Sequence, residues 1–65
     1  MKVITAVKKH LKTDREIFVQ SENDGSFFYV QKDKDFVFEY GSVIAESKVK
    51  RIDLEESDGA VTIYI

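Results

Sequence analysis

The chain contains a single histidine, the residue type most often used for proton transfer near neutral pH, and no cysteine. His10 lies among Lys8, Lys9 and Lys12. These cationic neighbours are expected to lower the pKa of the imidazole, and none of them is a carboxylate that could orient it as a general base. We therefore expect His10 to be a helix-surface residue, and we predict that the protein has no catalytic residues and is not an enzyme.

Oxygen-rich turns are the other places where the sequence could hold an ion. Zinc sites use three or four Cys, His or carboxylate ligands, and cysteine is absent here. Segments 33–35 and 55–59 carry several carboxylates without the spacing of an EF-hand, and the three glycines stand singly rather than in a phosphate-binding loop. We interpret both segments as turns whose charged side chains are exposed to solvent. We therefore predict no metal site and no cofactor.

Aromatic residues are concentrated in the middle of the chain. Alternation along strands sends such residues to both sides of a sheet, and one short helix covers only one side. Either the sheet curls and encloses its second side, or part of the aromatic side contacts another molecule. For that contact we expect the rings nearest to charged turns, which are Phe27, Tyr29, Phe36 and Tyr40.

Charge is unevenly distributed, although the ten basic and twelve acidic residues sum to only −2. Residues 1–15 carry five bases and one acid. The solvated face of a helix accounts for this excess. The alternative is a basic strip that contacts phosphate or an acidic partner, formed by Lys8, Lys9, Lys12 and Arg15.

The length of 65 residues predicts one small domain that spans residues 1–65. Apolar residues at positions 3, 4, 7 and 11 share one helical stripe, which predicts a short amphipathic helix over residues 2–12. The alternative for this segment is an extra strand, with positions 3, 5 and 7 on one side.

From Glu16 onward, short apolar runs alternate with turn residues, which is typical of an antiparallel meander. The runs predict strands at residues 16–22, 26–32, 36–40, 51–56 and 60–65. We expect an α+β fold, mainly β, in which the N-terminal helix packs on a strongly twisted antiparallel sheet. The sheet has four or five strands and is either open or closed into a small barrel.

Two turn sequences predict hairpins, Asp24-Gly25 and Ser57-Asp58-Gly59. A two-residue loop at Asp24-Gly25 places Val19 opposite Val30 and sends Phe18, Phe27 and Tyr29 to the other face. The apolar members of the alternating strands are the predicted core, namely Ile17, Val19, Phe28, Val30, Val37, Ile52, Leu54, Val61 and Ile63.

Three classes of function compete. A small binding or regulatory protein that acts through a protein-protein surface is favoured by the surplus of aromatic residues and the lack of catalytic groups. A nucleic-acid-binding module for RNA or single-stranded DNA is the alternative, with rings stacked on bases and lysines on phosphates. The net charge of −2 weighs against this alternative, and an enzyme comes third.

The partner we expect is another protein. No apolar run approaches the length of a membrane span, so we expect no membrane association, and the lack of cysteine suits the cytoplasm. The apolar terminal strand, residues 60–65, is expected either to be paired within the sheet or to pair with another chain, and homo-oligomerisation is therefore an open alternative.

Overall fold

A computed structural model describes residues 1–55 and 59–65 of the chain. Along these residues the elements are α1 Val3–His10, β1 Ile17–Gln20, β2 Phe27–Tyr29, α2 Phe36–Tyr40, α3 Ser42–Ala45, β3 Arg51–Leu54 and β4 Val61–Tyr64. The strands form one four-stranded sheet in the order β2-β1-β4-β3. Each outer strand pairs antiparallel with its inner neighbour, whereas the central strands β1 and β4 run parallel.

The first element confirms the predicted N-terminal helix, and the alternative of an extra strand is wrong. Val3, Ala6 and Val7 are buried, as the spacing of one helical face requires. Lys8 and Lys9 lie in the last turn, where positive charge interacts favourably with the carbonyl end of a helix. Helix α1 is therefore held by its apolar face against the core and carries its lysines outward.

The first hairpin forms in a register that differs from the predicted one. Val19 lies opposite Phe28 rather than Val30, because the turn is longer than two residues. The carboxylate of Asp24 accepts a hydrogen bond from the amide of Ser26 at 2.9 Å, which is the geometry of an Asx turn. Side chains alternate with a period of two, so this slip of two residues leaves every side chain on the face predicted for it.

Residues 36–40 form helix α2, and the strand predicted there is wrong. Asp35 caps the helix, since its carboxylate accepts a hydrogen bond from the amide of Phe38 at 3.0 Å. Gly41 ends the helix in the left-handed region, with φ 94°, which glycine adopts without steric cost. Without this strand the sheet has four strands, two of them parallel, and it is not closed, so the antiparallel meander and the barrel are not confirmed.

The core lies on one face of the sheet, against the three helices. Five members of the predicted core are buried there, namely Ile17, Val19, Val30, Val61 and Ile63. Phe28 and Ile52 are half-buried and pack against these residues. Phe36 and Ala45 add one buried residue each from α2 and α3.

Two residues of the predicted core are exposed. Val37 is 44% exposed because it belongs to α2 and not to a strand. Leu54 is 53% exposed because it lies on β3, an outer strand of the sheet.

The predicted last strand corresponds to β4, which pairs with β1 on one side and β3 on the other. Of the two alternatives for this segment, pairing within the sheet is therefore the one observed. The predicted turn at residues 57–59 and the end of the strand predicted at 51–56 lie partly outside the described residues.

Replacement of a buried residue of the sheet should destabilise the protein much more than replacement of an exposed apolar residue. Ile63→Ala removes a side chain with no exposed area and should lower the free energy of unfolding by about 2–5 kcal/mol. Val37→Ala, on the exposed side of α2, should change it by less than about 0.5 kcal/mol. Urea unfolding followed by circular dichroism measures both values, and equal losses would contradict the placement of the core.

Candidate binding surface

The face of the sheet opposite the helices carries two rows of side chains. Strand pairing places Tyr29, Phe18, Thr62 and Asp53 in one row. It places Phe27, Gln20, Tyr64 and Arg51 in the other. These eight residues, which we call the open face, alternate along the strands with the residues of the core. The strands that build the core therefore also present four aromatic rings on the opposite side.

Three rings of the open face are in direct contact. The ring of Phe18 stacks on that of Phe27, with centroids 5.3 Å apart and an interplanar angle of 13°. It meets the ring of Tyr29 at 5.5 Å in a tilted arrangement. Offset-stacked and tilted pairs are the favoured geometries of aromatic rings. Phe27 and Tyr29 nevertheless remain 58% and 45% exposed, so the cluster is a preformed apolar platform in contact with water.

The fourth ring lies under a cation. The guanidinium of Arg51 is 4.0 Å from the centroid of the Tyr64 ring, within the range of a cation–π interaction. The same guanidinium approaches the carboxylate of Glu22 at 3.0 Å and that of Asp53 at 3.8 Å. Exposed ion pairs contribute little to stability. Their effect here is to hold Arg51 in place on the face and to offset its charge.

A third carboxylate lies beside the platform at Tyr29. A hydrogen bond with Glu16 is the main cause that raises the pKa of Tyr29, with smaller contributions from desolvation and from the negative charge of Glu16. Glu16 beside Tyr29 and Glu22 beside Arg51 thus lie at the rim of the open face, which itself carries Asp53 and Arg51. The open face and these two rim residues therefore combine apolar rings with three carboxylates and one arginine.

The predicted basic strip lies on the other side of the sheet, because α1 packs on the core face. Lys8, Lys9 and Lys12 are exposed, whereas Arg15 is half-buried. Lys8 and Lys34 line a shallow cleft of about 250 Å³ between α1 and the start of α2. The lysines and the aromatic platform are therefore on opposite surfaces of the molecule.

Of the four rings predicted to contact a partner, two lie on the open face and two belong to the core or pack against it. Phe27 and Tyr29 lie on the open face, but Phe36 is only 6% exposed and belongs to the core. Tyr40 is half-buried and packs against the core. Phe36 is therefore not accessible to a partner, contrary to the prediction.

Tyr40 has a structural role at the edge of the sheet. Its ring stacks on that of Phe28, with centroids 4.6 Å apart. Its hydroxyl donates a hydrogen bond to the carbonyl of Tyr29 at 2.9 Å and accepts one from the amide of Gln31 at 3.1 Å. Tyr40 thus ties α2 to the outer side of β2.

Two aromatic residues of the open face, Phe18 and Tyr64, were not among the rings predicted to bind a partner. Phe18 was predicted to share a face with Phe27 and Tyr29, and the structure places it there. Tyr64 joins the face only because β4 pairs with β1, and no local pattern in the sequence reveals that pairing.

His10 is half-buried at the end of α1. Its burial is the main cause that lowers its pKa, and the positive charges of Lys9 and Arg15 lower it further. Among residues 1–55 and 59–65, no group of three or more His, Cys, Asp or Glu side chains has the arrangement of a metal site.

The chain matches no protein-family model, no curated protein and no solved structure. None of the helices in the described part of the chain has the length and hydropathy needed to cross a membrane. Any functional proposal therefore rests on the geometry and charge of the open face.

Removal of the neighbouring carboxylate should restore the acidity of Tyr29. Glu16→Gln should lower the pKa of Tyr29 toward the ordinary tyrosine value, because the amide is a weaker acceptor for the phenol proton and carries no negative charge that opposes ionisation. The control is Glu39→Gln, which removes a carboxylate from α2. An NMR titration of tyrosine labelled at Cζ measures the pKa, and the same value in both variants would contradict the position of Glu16.

Proposed function

We propose that the protein is a small, non-enzymatic binding or regulatory protein of the cytoplasm that acts through a protein-protein surface, and that this surface is the open face. The observation that carries the proposal is the contact platform of Phe18, Phe27 and Tyr29, exposed on the side that the helices do not cover. Contiguous exposed apolar surface rimmed by polar residues is typical of interaction sites.

The residue types of the open face are those that dominate binding energy in protein interfaces. Tyrosine and arginine are enriched at interface hot spots, and such residues are usually surrounded by polar groups. Tyr29, Tyr64 and Arg51 provide these anchors. The contacts between rings and the ion pairs of Arg51 hold the side chains in place before binding, which reduces the entropy lost on association.

The charge around the rings indicates the chemistry of the partner. Asp53 and Arg51 belong to the open face, and the carboxylates of Glu16 and Glu22 lie at its rim. Complementary charge steers association and suppresses wrong partners. We therefore expect a protein segment in which an apolar or aromatic side chain is flanked by lysine or arginine.

The arrangement of charge disfavours the alternative, a nucleic-acid-binding module. Binding of single strands needs aromatic rings and basic side chains along one groove. Here the exposed lysines of α1 lie on the opposite side of the sheet from the rings. The carboxylate of Glu16 adjoins the platform at Tyr29, and it repels phosphate.

The proposal is tested by selection of ligands from a displayed library of random peptides on the immobilised protein. We expect the enriched peptides to combine an apolar anchor with basic residues. Amide NMR shifts induced by a selected peptide should cluster on β1, β2 and β4. Shifts confined to α1, or a single-stranded oligonucleotide that binds the open face in a salt-dependent manner, would contradict the proposal.

Truncation of one ring of the platform should weaken that peptide without unfolding the protein. Phe27→Ala removes a ring that is 58% exposed and should raise the dissociation constant about thirty-fold, equivalent to about 2 kcal/mol. The matched control is Phe38→Ala, which removes a ring that is 89% exposed but lies on α2. Calorimetric titration gives both affinities, and equal effects of the two changes would contradict a site on the open face.

A further inference from the structure

The two outer strands of the sheet differ in whether the backbone groups on their outer edges have hydrogen-bond partners. On β2, the hydroxyl of Tyr40 bonds the carbonyl of Tyr29 and the amide of Gln31, so part of that edge is occupied. On β3, no strand of the described residues pairs with the outer side of Arg51–Leu54, whereas Met1 and Lys2 pair with Val49 and Lys48 just before this strand. An uncovered edge strand is a template for pairing with another chain.

The hydrogen bonds of β3 identify the residues that face outward. The amide of Glu55 donates to the carbonyl of Ala60 at 2.8 Å, and Asp53 lies opposite Thr62. Because residues of an antiparallel pair alternate in the direction of their backbone groups, Ile52 and Leu54 direct their N–H and C=O groups away from β4. The side chain of Leu54 is also 53% exposed beside this edge.

In one antiparallel register, the charges of β3 are complementary to those of β3 in a second copy of the chain. With Ile52 at the centre, Arg51 lies opposite Asp53 of a second copy, and the same contact occurs twice because the pair is symmetric. Centring the pair on Asp53 places two aspartates opposite each other, and centring it on Leu54 places Asp53 opposite Glu55. Opposite charges stabilise a cross-strand pair and like charges destabilise it, so the first register is selected.

We propose that two copies of the chain associate through antiparallel pairing of their β3 strands, with Ile52 at the two-fold axis. The two sheets then join into one, and Leu54 is covered by the second copy. Because the paired strands share one pleated surface, both open faces lie on the same side of the joined sheet. The partner of β3 is thus a second copy of this protein, whatever molecule the open face binds.

The contact extends over one short strand, so the dimer is expected to be weak and to dissociate on dilution. Sedimentation equilibrium over a dilution series should show a reversible monomer–dimer equilibrium for the wild-type protein. A monomer at every concentration up to that used for NMR would overturn the proposal.

Charge reversals test the register. Arg51→Asp alone places aspartates opposite aspartates, and Asp53→Arg alone places arginines opposite arginines, so each variant should be monomeric. An equimolar mixture should form a one-to-one heterodimer, because every 51–53 contact is then between opposite charges. The double variant with both changes should regain the homodimer.

The mixture also separates loss of pairing from loss of folding, because an unfolded variant cannot form the heterodimer. Glu39→Arg, the same change of charge on α2, is the control and should dimerise like the wild type. Single variants that dimerise normally, or a mixture that stays monomeric, would overturn the proposal. So would a dimer that is lost in Phe27→Ala but kept in Asp53→Arg, since that result places self-association on the open face.

Discussion

The parallel pairing of β1 with β4 is the contact on which the rest of the structure depends. The amide of Val61 donates to the carbonyl of Glu16 at 2.7 Å, and that of Ile65 donates to the carbonyl of Gln20 at 2.9 Å. This ladder joins the N-terminal hairpin to the C-terminal one, with a connection that includes α2 and α3. Parallel neighbours require such a crossover, and here the crossover helices contribute to the cover over the core face.

One ladder thereby determines both sides of the sheet. Ile17, Val19 and Ile63 have no exposed area on the core face, whereas Phe18 and Tyr64, their neighbours along the strands, stand on the open face. In the described part of the chain, the helices pack on the core face. Helix α1 carries Lys8 and Lys9 on one side of the sheet, and the rings of the open face lie on the other. The separation of these two surfaces is the main physical reason to expect a protein partner rather than a nucleic acid.

The sequence pattern predicted α1 and the faces of the first hairpin, because helical and strand periodicities are local properties. It placed residues 36–40 in a strand because Phe36, Phe38 and Tyr40 alternate with other residues. The helix is favoured by the cap at Asp35 and by the end of the helix at Gly41, which are weaker local signals than this alternation. Parallel pairing depends on contacts between distant segments, so the part of the open face contributed by β4 could not be predicted.

The most direct test of this account is the relaxation of side-chain protons by a soluble gadolinium chelate, measured by NMR on dilute protein. The account predicts strong relaxation of the Phe27 and Tyr29 ring protons, and little relaxation of the Ile63 methyl groups and the Phe36 ring. Rings of Phe27 and Tyr29 protected as well as Ile63 would contradict it, because the sheet would then enclose the side described here as open.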